Sequence, residues 1–505
     1  MPFCMRCSMN FSPLIISHLR SQRMSITRRL LCTAMESHRK EYRRGDYATL
    51  TDSDLAQFER MIGKENVKTT NLDSYNCDWM KHYKGSSKCV LLPQGSEEIS
   101  SIVKYCYHRK IAMVPQSGNT GVVGGSTPVF DEVILSLRRH NVFYSLDTHM
   151  GIMECDSGFI LQNLNSRLAT KGFMMPFDLA AKGQCLIGGN ISTAAGGIHF
   201  VRYGSLHSHV LGLQVVLPNE NATIVDFGSP LRKDNTGLHT HHLFIGAEGQ
   251  LGIITRVTMG VVPKPKNVQV AMLGVQSFEN CHKALRLAHE YLGETLSAFE
   301  LIDSQSMDCL LENEKLSNVL QTKTSFNVLV ESSGSNEDHN REKMTKYLTE
   351  ASSQGIAVDG VQATNVQQAT YMWTLRESLP VSLKRDGYIF KFDISLPLEH
   401  FYALAVTVRE RVGRLAKRVL LYGHMGDGNA HLNITAEKCT KELSDKLYPF
   451  IYDWVTEHGG SISAEHGIGL LKKPYMKKDA DYEVMKLLKN TFDPRHILSP
   501  YKMLE

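Results

Sequence analysis

The sequence predicts an α+β protein with two large parts and a short C-terminal helical segment. Strand and helix patterns alternate in the first half, where glycine clusters fill the connections between the strands. Two prolines interrupt this pattern at residues 262–266, and a second series of strand and helix patterns follows them. A chain of 505 residues is long enough for two or three domains, each with its own core.

The first part opens with a strand, a helix and a second strand, which together predict a βαβ unit. The strands are residues 88–92 and 111–114, and the helix between them is residues 96–108, with Ser96 at the N-cap position. The other elements predicted in this part are strands at 132–136, 152–155, 211–217, 222–226 and 252–255 and a helix at 159–168.

The second part shows a β-α-β order twice, which predicts a ferredoxin-like α+β domain. Its predicted strands are residues 268–275, 327–331, 391–395 and 416–422, and its helices are residues 278–292, 340–354 and 481–492. We expect a first domain at residues 41–265, a second at 266–490, and a C-terminal segment at 491–505 that returns to the first domain.

Positive charge is concentrated at the N-terminus. The net charge is +4, but the first 35 residues hold five arginines and no acidic residue, so 51 basic and 52 acidic residues remain. This near-neutral body argues against a nucleic-acid-binding protein. An arginine- and serine-rich, acid-free composition is typical of a mitochondrial transit peptide, so we expect residues 1–40 to direct the chain to the matrix. No stretch is apolar and long enough to predict a membrane span.

Three glycine segments in the first part predict a binding site for a large cofactor. The first glycine segment (residues 118–126) follows a strand, so its backbone N–H groups can form an anion-binding nest. The second (188–197) and the third (246–254) consist largely of small residues, which let a planar ring lie close to the backbone. A purely structural role at a sheet corner is the alternative. The spacing matches neither a Walker loop nor a Rossmann fingerprint.

Two glycine-flanked motifs in the second part predict a metal site. His424 and His431 are seven residues apart, and Glu465 and His466 follow later in the chain. Two imidazoles and one carboxylate make a three-ligand site with a coordination position left for substrate. The spacing fits neither a helix face nor a strand, so we expect these motifs on loops. Asp427, between two glycines, is interpreted as a turn former.

Taken together, these motifs resemble a known enzyme family. Residues 115–126, 188–197 and 246–255 resemble the PCMH-type flavin domain of the vanillyl-alcohol-oxidase-like FAD enzymes. Residues 423–433 and 464–469 are similar to the C-terminal domain of the D-2-hydroxyacid dehydrogenase branch of that family. The resemblance runs from about residue 50 to the C-terminus and implies two cofactors, FAD and Zn²⁺ or another divalent metal.

The resemblance also implies roles for individual residues. The metal ligands would be His424, His431 and Glu465, and the substrate-binding residues would be Arg376, Lys391, His424, Asn433 and His466. The FAD-binding residues would be Gly118, Asn119, Thr120, Gly121, Gly124, Gly125, Ser126, Gly188, Gly189, Asn190, Ser192, Thr193, Gly196, Gly197, Glu248, Gly249 and Ile254.

The implied reaction is the oxidation of D-2-hydroxyglutarate to 2-oxoglutarate. A hydride passes from C2 to flavin N5, the metal orients the substrate, and His466 acts as general base. Arg376 and Lys391 would hold the distal carboxylate. The electrons would then pass to an electron-transfer flavoprotein, and a homodimer is compatible with the sequence. Because residues 118–126 contain no His or Cys, we expect the flavin to be bound non-covalently. We also expect the metal site to face the glycine-lined groove.

One position departs from the family pattern. Pro380 stands four residues after Arg376, where the family has a hydroxyl residue, so one substrate contact is lost unless Ser378 or Ser382 replaces it.

Three alternatives remain open at this point. A D-lactate dehydrogenase of the same family would not need Arg376, because lactate lacks a distal carboxylate. A zinc hydrolase would use the same metal ligands and would be colourless, with glycine segments that are only structural. A non-catalytic flavoprotein would be yellow but would not be reduced by any hydroxy acid.

Overall fold

The computed structural model describes residues 42–504, so the transit peptide predicted at residues 1–40 lies outside the described residues. These residues form two main sheets and a two-stranded one in the first part of the chain, and one large sheet in the second. Within residues 42–504, no helix combines the length and the apolar character that crossing a bilayer requires.

The first sheet is small and mostly parallel. Its elements are α1 (Asp52–Ile62), β1 (Val67–Lys68), α2 (Asp73–Asn76), β2 (Val90–Leu91), α3 (Ser96–Arg109), β3 (Met113–Gln116) and β4 (Val133–Ser136). The strand order is β1-β2-β4-β3, with only β1 antiparallel. Helix α3 connects β2 to β3, which confirms the predicted βαβ unit. The N-cap prediction is wrong: Gly95 is the N-cap, and the Ser96 hydroxyl donates to Gln214 instead.

The second sheet is antiparallel. Its region contains β5 (Tyr144–Asp147), β6 (Ile152–Asp156), α4 (Leu161–Ala169), β7 (Phe173–Met174), α5 (Ile187–Ser192), α6 (Phe200–Tyr203), β8 (Val210–Val216), β9 (Ile224–Gly228), β10 (Ile253–Gly260) and β11 (Val262–Pro263). The strand order is β5-β6-β10-β8-β9. Strand β11 leaves this sheet and pairs with β7, so the proline-rich stretch does interrupt the sheet, as predicted.

The third sheet has seven strands, and all of its pairings are antiparallel. The strands are β12 (Asn267–Val275), β13 (Leu296–Asp303), β14 (Phe326–Gly334), β15 (Asp359–Gln362), β16 (Tyr388–Ser395), β17 (Arg418–His424) and β18 (Asn429–Ala436). Their order is β15-β12-β14-β13-β17-β18-β16. The first four strands follow the ferredoxin-like order that the sequence predicts. The other three extend the sheet beyond β13.

The second part contains nine α-helices within the described residues; the first eight accompany this sheet, and the last packs against the core of the second sheet. They are α7 (Phe278–Tyr291), α8 (Ser304–Glu314), α9 (Glu337–Ser353), α10 (Val366–Glu377), α11 (Leu379–Ser382), α12 (Ala403–Val412), α13 (Lys441–Leu447), α14 (Phe450–Glu457) and α15 (Ala480–Phe492). Alternate residues of β12 enter two different apolar cores, one on each face of the sheet. The sheet is therefore buried on both sides.

Strand β13 was not predicted, and this double burial explains why. All eight of its residues are buried, so apolar and polar positions do not alternate along it. It also carries Glu300 and Asp303, both fully buried acids that normally argue against a core strand.

The prediction that both metal-ligand motifs lie on loops is wrong for the first motif and correct for the second, because Glu465 and His466 lie outside any helix or strand. His424 ends β17, and His431 lies within the neighbouring strand β18, joined by a tight turn at residues 425–428. The seven-residue spacing therefore spans a turn plus a few strand positions, which a search for one uniform period does not detect. Asp427 accepts a hydrogen bond from the Asn429 N–H at 3.0 Å, as expected of a turn former. Its burial raises the pKa of this carboxyl to about 7.

The C-terminal residues pack against the first sheet. The Met113 N–H donates to the Ile497 carbonyl at 2.8 Å, and the Ser499 N–H donates to the Met113 carbonyl at 2.8 Å. Ile497 and Leu498 are fully buried in the core of that sheet. The end of the chain thus ties the second part to the first.

Candidate active site

Two cavities adjoin where the parts of the molecule meet. The flavin-side cavity, about 310 Å³, is lined mainly by the glycine segments. The substrate-side cavity, about 570 Å³, is lined by residues of the first part on one side and by residues of the large sheet and its helices on the other. Thr120, Val122, Glu465 and His466 border both. The metal-type motifs therefore face the glycine-lined groove, as the sequence predicts.

Most residues expected to bind FAD border the flavin-side cavity. They are Gly118, Asn119, Thr120, Gly121, Gly125, Ser126, Gly189, Asn190, Ser192, Thr193, Glu248, Gly249 and Ile254. Backbone and small side chains dominate this lining, which suits the close approach of a large, flat, phosphate-bearing ligand. The residues present therefore fit FAD.

The other four expected FAD residues do not line this cavity. Gly124, Gly188, Gly196 and Gly197 instead permit close packing. A Cβ at residue 197 would lie 2.1 Å from the Asp178 carbonyl oxygen, and one at residue 188 would lie 2.5 Å from the Ser157 Cβ. These glycines let segments around the cavity approach each other.

Two side chains of the flavin-side cavity serve as tethers. The Asn119 amide donates to the carbonyls of Ser74 and Cys77 at 3.0 and 2.9 Å, which holds the first glycine segment in place. The Glu248 carboxylate accepts the N–H groups of Ile468 and Gly469 at 2.6 and 2.8 Å. Glu248 thereby fixes the third glycine segment to the loop that carries Glu465 and His466.

The structure brings the three expected metal ligands together. His424, His431 and Glu465 each offer one ligand atom, and all three atoms lie within 4.8 Å of one another. His424 Nε2 is 3.8 Å from Glu465 Oε1. Zinc–ligand bonds of about 2.0–2.1 Å place tetrahedral ligand atoms about 3.3 Å apart, so these residues fit a zinc-type ion after small shifts. The Gly197 N–H donates to Glu465 Oε1 at 2.5 Å, which positions that carboxylate.

Glu300 on β13 is a site residue that the sequence did not reveal. One carboxylate oxygen lies 2.6 Å from His424 Nδ1, and the other accepts from Arg376 Nε at 2.6 Å. Burial alone would raise the pKa of Glu300, but the charges of His424 and Arg376 lower it to about 2. A carboxylate that holds the second nitrogen of a metal-binding histidine is a common supporting contact. In the sequence, the one indication of this role is an acidic residue inside the mostly apolar stretch that forms β13.

The contact with Glu300 also shifts the pKa of His424. Burial lowers the pKa of its imidazole, but the Glu300 and Glu465 carboxylates raise it to about 9. The ring therefore carries a proton at neutral pH in the ion-free protein, and a bound cation would take the place of that proton.

Asp393 on β16 is the second site residue missed in the sequence. Its Oδ2 accepts the N–H groups of Glu465 and His466, both at 2.9 Å, and its Oδ1 accepts the Asn429 amide at 2.9 Å. Burial opposes ionisation, but nearby charges, with His466 foremost, hold the pKa of Asp393 well below its usual range. His431 Nδ1 and His466 Nδ1 lie 3.6 and 3.8 Å away. Asp393, His431 and His466 also bring ligand atoms within 4.8 Å of one another, but three N–H donors already occupy the Asp393 oxygens, so its role is to orient the Glu465–His466 loop.

Two cations, Arg376 and Lys391, border the substrate-side cavity. Asn433 also borders it, and Lys391 pairs with Asn433 across β16 and β18. The Arg376 guanidinium carbon lies 4.8 Å from the centre of the Tyr422 ring. Burial lowers the pKa of Lys391 to about 8, and the charge of Lys384 acts in the same direction. The positive charges of Arg376 and Lys391 suit a substrate carboxylate.

Pro380 itself borders the substrate-side cavity, but neither Ser378 nor Ser382 does. Ser382 is fully buried, and its hydroxyl donates to the Cys309 carbonyl at 3.2 Å. The expectation that one of these serines replaces the missing hydroxyl is therefore wrong, because they lie on other faces of this helical stretch.

Comparisons with known proteins agree with this geometry. Residues 87–228 match the "FAD binding domain" model, and residues 264–503 match the "FAD linked oxidases, C-terminal domain" model. A rat protein named mitochondrial D-2-hydroxyglutarate dehydrogenase is 46% identical over 91% of this chain and 86% of its own. The chain belongs to the D-2-hydroxyglutarate dehydrogenase family of FAD-linked enzymes. It is an FAD-dependent oxidoreductase with the PCMH-type flavin fold.

Other relatives of this dehydrogenase family carry different names. A Schizosaccharomyces pombe protein named putative mitochondrial D-lactate dehydrogenase is 42% identical over 92% of this chain and 93% of its own. Among solved structures, p-cresol methylhydroxylase superposes with a TM-score of 0.71, covering 90% of this chain and 96% of that one at 14% identity. The latter similarity concerns the fold alone.

Proposed function

We propose that this enzyme oxidises D-2-hydroxyglutarate to 2-oxoglutarate in mitochondria. One observation carries the proposal: a single cavity is bordered by two cations and by a metal-type ligand set, and the glycine-lined cavity adjoins it. A dicarboxylic 2-hydroxy acid needs all three of these features. Relatives that cover most of the chain are named for this activity and for this compartment.

The two ends of the substrate are recognised differently. Arg376 and Lys391 bind the distal carboxylate; the arginine offers directed N–H donors and the lysine a point charge. Asn433 and His466 bind the carboxylate and the hydroxyl at the reacting end. This arrangement holds C2 on the side of the cavity that adjoins the glycine segments.

Two cofactors supply the chemistry that amino-acid side chains lack. FAD held in the flavin-side cavity would supply a hydride acceptor. A divalent metal held by His424, His431 and Glu465 would supply Lewis acidity toward the substrate hydroxyl.

His466 is the general base in this proposal. It borders both cavities, so its ring stands between the substrate and the flavin side. Burial lowers the pKa of its imidazole, and the Asp393 carboxylate offsets this only in part. The ring is therefore neutral at neutral pH and accepts the hydroxyl proton. Asp393 keeps the His466 backbone in place.

The two cations that border the cavity favour a dicarboxylate over lactate, although one relative is named for lactate. Membership in an FAD-linked family argues against the zinc hydrolase and the non-catalytic alternatives. The transfer of electrons to an electron-transfer flavoprotein, the matrix location, non-covalent flavin and a homodimer are further parts of the proposal. They are supported by the family resemblance and the sequence.

Anaerobic visible spectroscopy of the purified enzyme tests the proposal. D-2-hydroxyglutarate should bleach the flavin absorbance rapidly, whereas L-2-hydroxyglutarate should leave it unchanged and D-lactate should bleach it slowly. Treatment with a chelator should abolish bleaching without releasing the flavin, and added Zn²⁺ should restore it. Bleaching by D-lactate that is as fast as with D-2-hydroxyglutarate would overturn the substrate assignment. Full activity in a verified metal-free sample would overturn the metal assignment.

A further inference from the structure

Four histidines form a cluster that the active site does not use. His239, His241 and His242 lie at the start of the 3₁₀ turn Thr240–Phe244, and His207 lies in the turn Leu206–Ser208 before β8. The first three each offer a ring nitrogen, and these atoms lie within 4.8 Å of one another. His207 Nδ1 is 3.4 Å from His242 Nδ1. The cluster borders its own cavity, about 360 Å³, and none of its members borders the active-site cavities.

One member of this cluster is buried with an unused ring nitrogen. His241 is 5% exposed, and its Nδ1 has no hydrogen-bond partner in the part of the chain that the structure describes. Residue 228 is a glycine, and a Cβ there would approach this nitrogen to 3.0 Å, so the nitrogen depends on the space left by the missing side chain. An unpaired buried polar atom costs free energy unless a ligand satisfies it.

The surroundings of three of these histidines favour the neutral imidazole, which is the form that binds metals. Burial lowers the pKa of His241 to about 4, and the neighbouring His242 and His239 add to the effect. Burial also lowers the pKa values of His207 and His242. Neutral imidazoles in close proximity offer lone pairs to a cation, whereas imidazolium ions would repel one another.

We propose that His207, His239, His241 and His242 form a second metal site that binds a divalent transition metal such as Zn²⁺. Imidazole ligands favour Zn²⁺, Cu²⁺ or Ni²⁺ over Mg²⁺ or Ca²⁺, which prefer oxygen. Ring nitrogens of His239, His241 and His242 already lie within 4.8 Å of one another. His207, whose Nδ1 is 3.4 Å from His242 Nδ1, would shift toward them to complete a four-ligand tetrahedral shell of the structural kind, which leaves no position for substrate. The Asp234 carboxylate borders the same cavity and adds negative charge nearby.

The position of the site indicates what a bound ion would stabilise. It would join the turn before β8 to the 3₁₀ turn Thr240–Phe244, two segments that are distant in sequence. The third glycine segment begins two residues after that 3₁₀ turn. We therefore expect the ion to increase thermal stability and to leave turnover unchanged.

Zinc content and zinc titration of the flavin-loaded enzyme test this proposal. After chelator treatment and removal of the chelator, Zn²⁺ is titrated calorimetrically, and retained zinc is measured by mass spectrometry. The cluster variant is His239→Gln/His242→Gln. The matched control is His149→Gln/His289→Gln, which removes two exposed histidines outside the cluster. A third protein, His424→Ala/His431→Ala, lacks the ligands of the proposed active-site metal.

The proposal predicts that the cluster variant binds one zinc equivalent fewer than the wild-type and control proteins. It should lose the zinc-dependent rise in Tm while keeping turnover and flavin content. The His424→Ala/His431→Ala protein should still bind one equivalent, so failure of the active-site metal proposal would not affect this result. Equal zinc binding by the cluster variant and the wild type would overturn the proposal, as would equal responses to Mg²⁺ and Zn²⁺. If the double variant does not fold, His239→Gln alone, which alters an exposed ring, provides the same comparison.

Discussion

The two adjoining cavities are built in opposite ways. The flavin-side cavity is lined largely by backbone and small side chains from the three glycine segments. The substrate-side cavity also has small residues of the first part in its lining, but it adds large and charged side chains, several of them on neighbouring strands of one sheet. The first therefore depends on space for a large ligand, whereas the second depends on particular functional groups. Substitutions in the two cavities should consequently fail in different ways.

Their supports differ as well. The flavin-side segments are tethered through Asn119 and Glu248 to backbone groups of neighbouring segments. The substrate-side groups are oriented by two buried carboxylates, Glu300 and Asp393. Catalytic groups held by buried charges should show coupled effects on mutation.

The largest expected effect is on His466. His466→Asn keeps a polar side chain but removes the proton acceptor, so kcat should fall by about 10²–10⁴-fold. The flavin content should match that of the wild type, because the flavin-side cavity is made mainly by other residues. Steady-state turnover and the visible spectrum measure the two effects. A kcat within a few-fold of wild type would exclude His466 as the base.

Substitutions of Arg376 and of Lys391 should have different effects. Lys391 only contacts the substrate in this proposal, whereas Arg376 also holds Glu300, which supports the metal ligand His424. Lys391→Met should lower kcat/KM for D-2-hydroxyglutarate by about 10- to 100-fold, because a hydrogen bond to a charged group contributes about 1.5–3 kcal/mol. Turnover of D-lactate should be spared.

Arg376→Met should instead impair both substrates. The substitution leaves Glu300 without its arginine and so disturbs His424 as well as the distal carboxylate. The simpler expectation that Arg376 is dispensable for lactate therefore changes once the structure is known. Unchanged lactate turnover in Arg376→Met would show that Glu300 does not couple Arg376 to His424.

Gly118→Ala tests the need for space in the flavin-side cavity. A Cβ at residue 118 would lie 2.6 Å from the Gln184 carbonyl oxygen and 2.9 Å from the Cys185 Cα, both backbone atoms that cannot rotate away. We expect a loss of about 1–3 kcal/mol in the free energy of unfolding and a lower flavin content. Gly237→Ala, in a surface loop where nothing lies within 4 Å of the added Cβ, is the control. Equal flavin content in both variants would contradict this account.

The smallest expected effect is a dependence on pH. Lys391 has a pKa lowered to about 8, so its ammonium is present below that pH and is lost as the pH rises through it. The KM for D-2-hydroxyglutarate should therefore increase a few-fold above pH 8, while the KM for D-lactate should not. Lys391→Met should abolish this difference between the substrates. If the difference persisted in the variant, a titratable group other than Lys391 would be responsible for it.

The sequence by itself determined the local features of this protein. The βαβ unit, the glycine segments, the ferredoxin-like order and the types of residue at the metal site were all visible. These depend on periodicity and residue chemistry over a few neighbouring positions. Strand β13 and the strand positions of His424 and His431 were missed, because burial on both faces and a tight turn remove the periodic pattern.

Only the tertiary structure decided how the site is supported. Glu300 meets His424 because β13 lies beside β17, although 124 positions separate the two residues. Asp393 meets Glu465 and His466 across more than 70 positions, and Glu248 reaches Ile468 across 220. Contacts at such separations are set by the packing of whole sheets against one another. No short stretch of sequence reveals these contacts, because Glu300, Asp393 and Glu248 each stand far along the chain from the residues they contact.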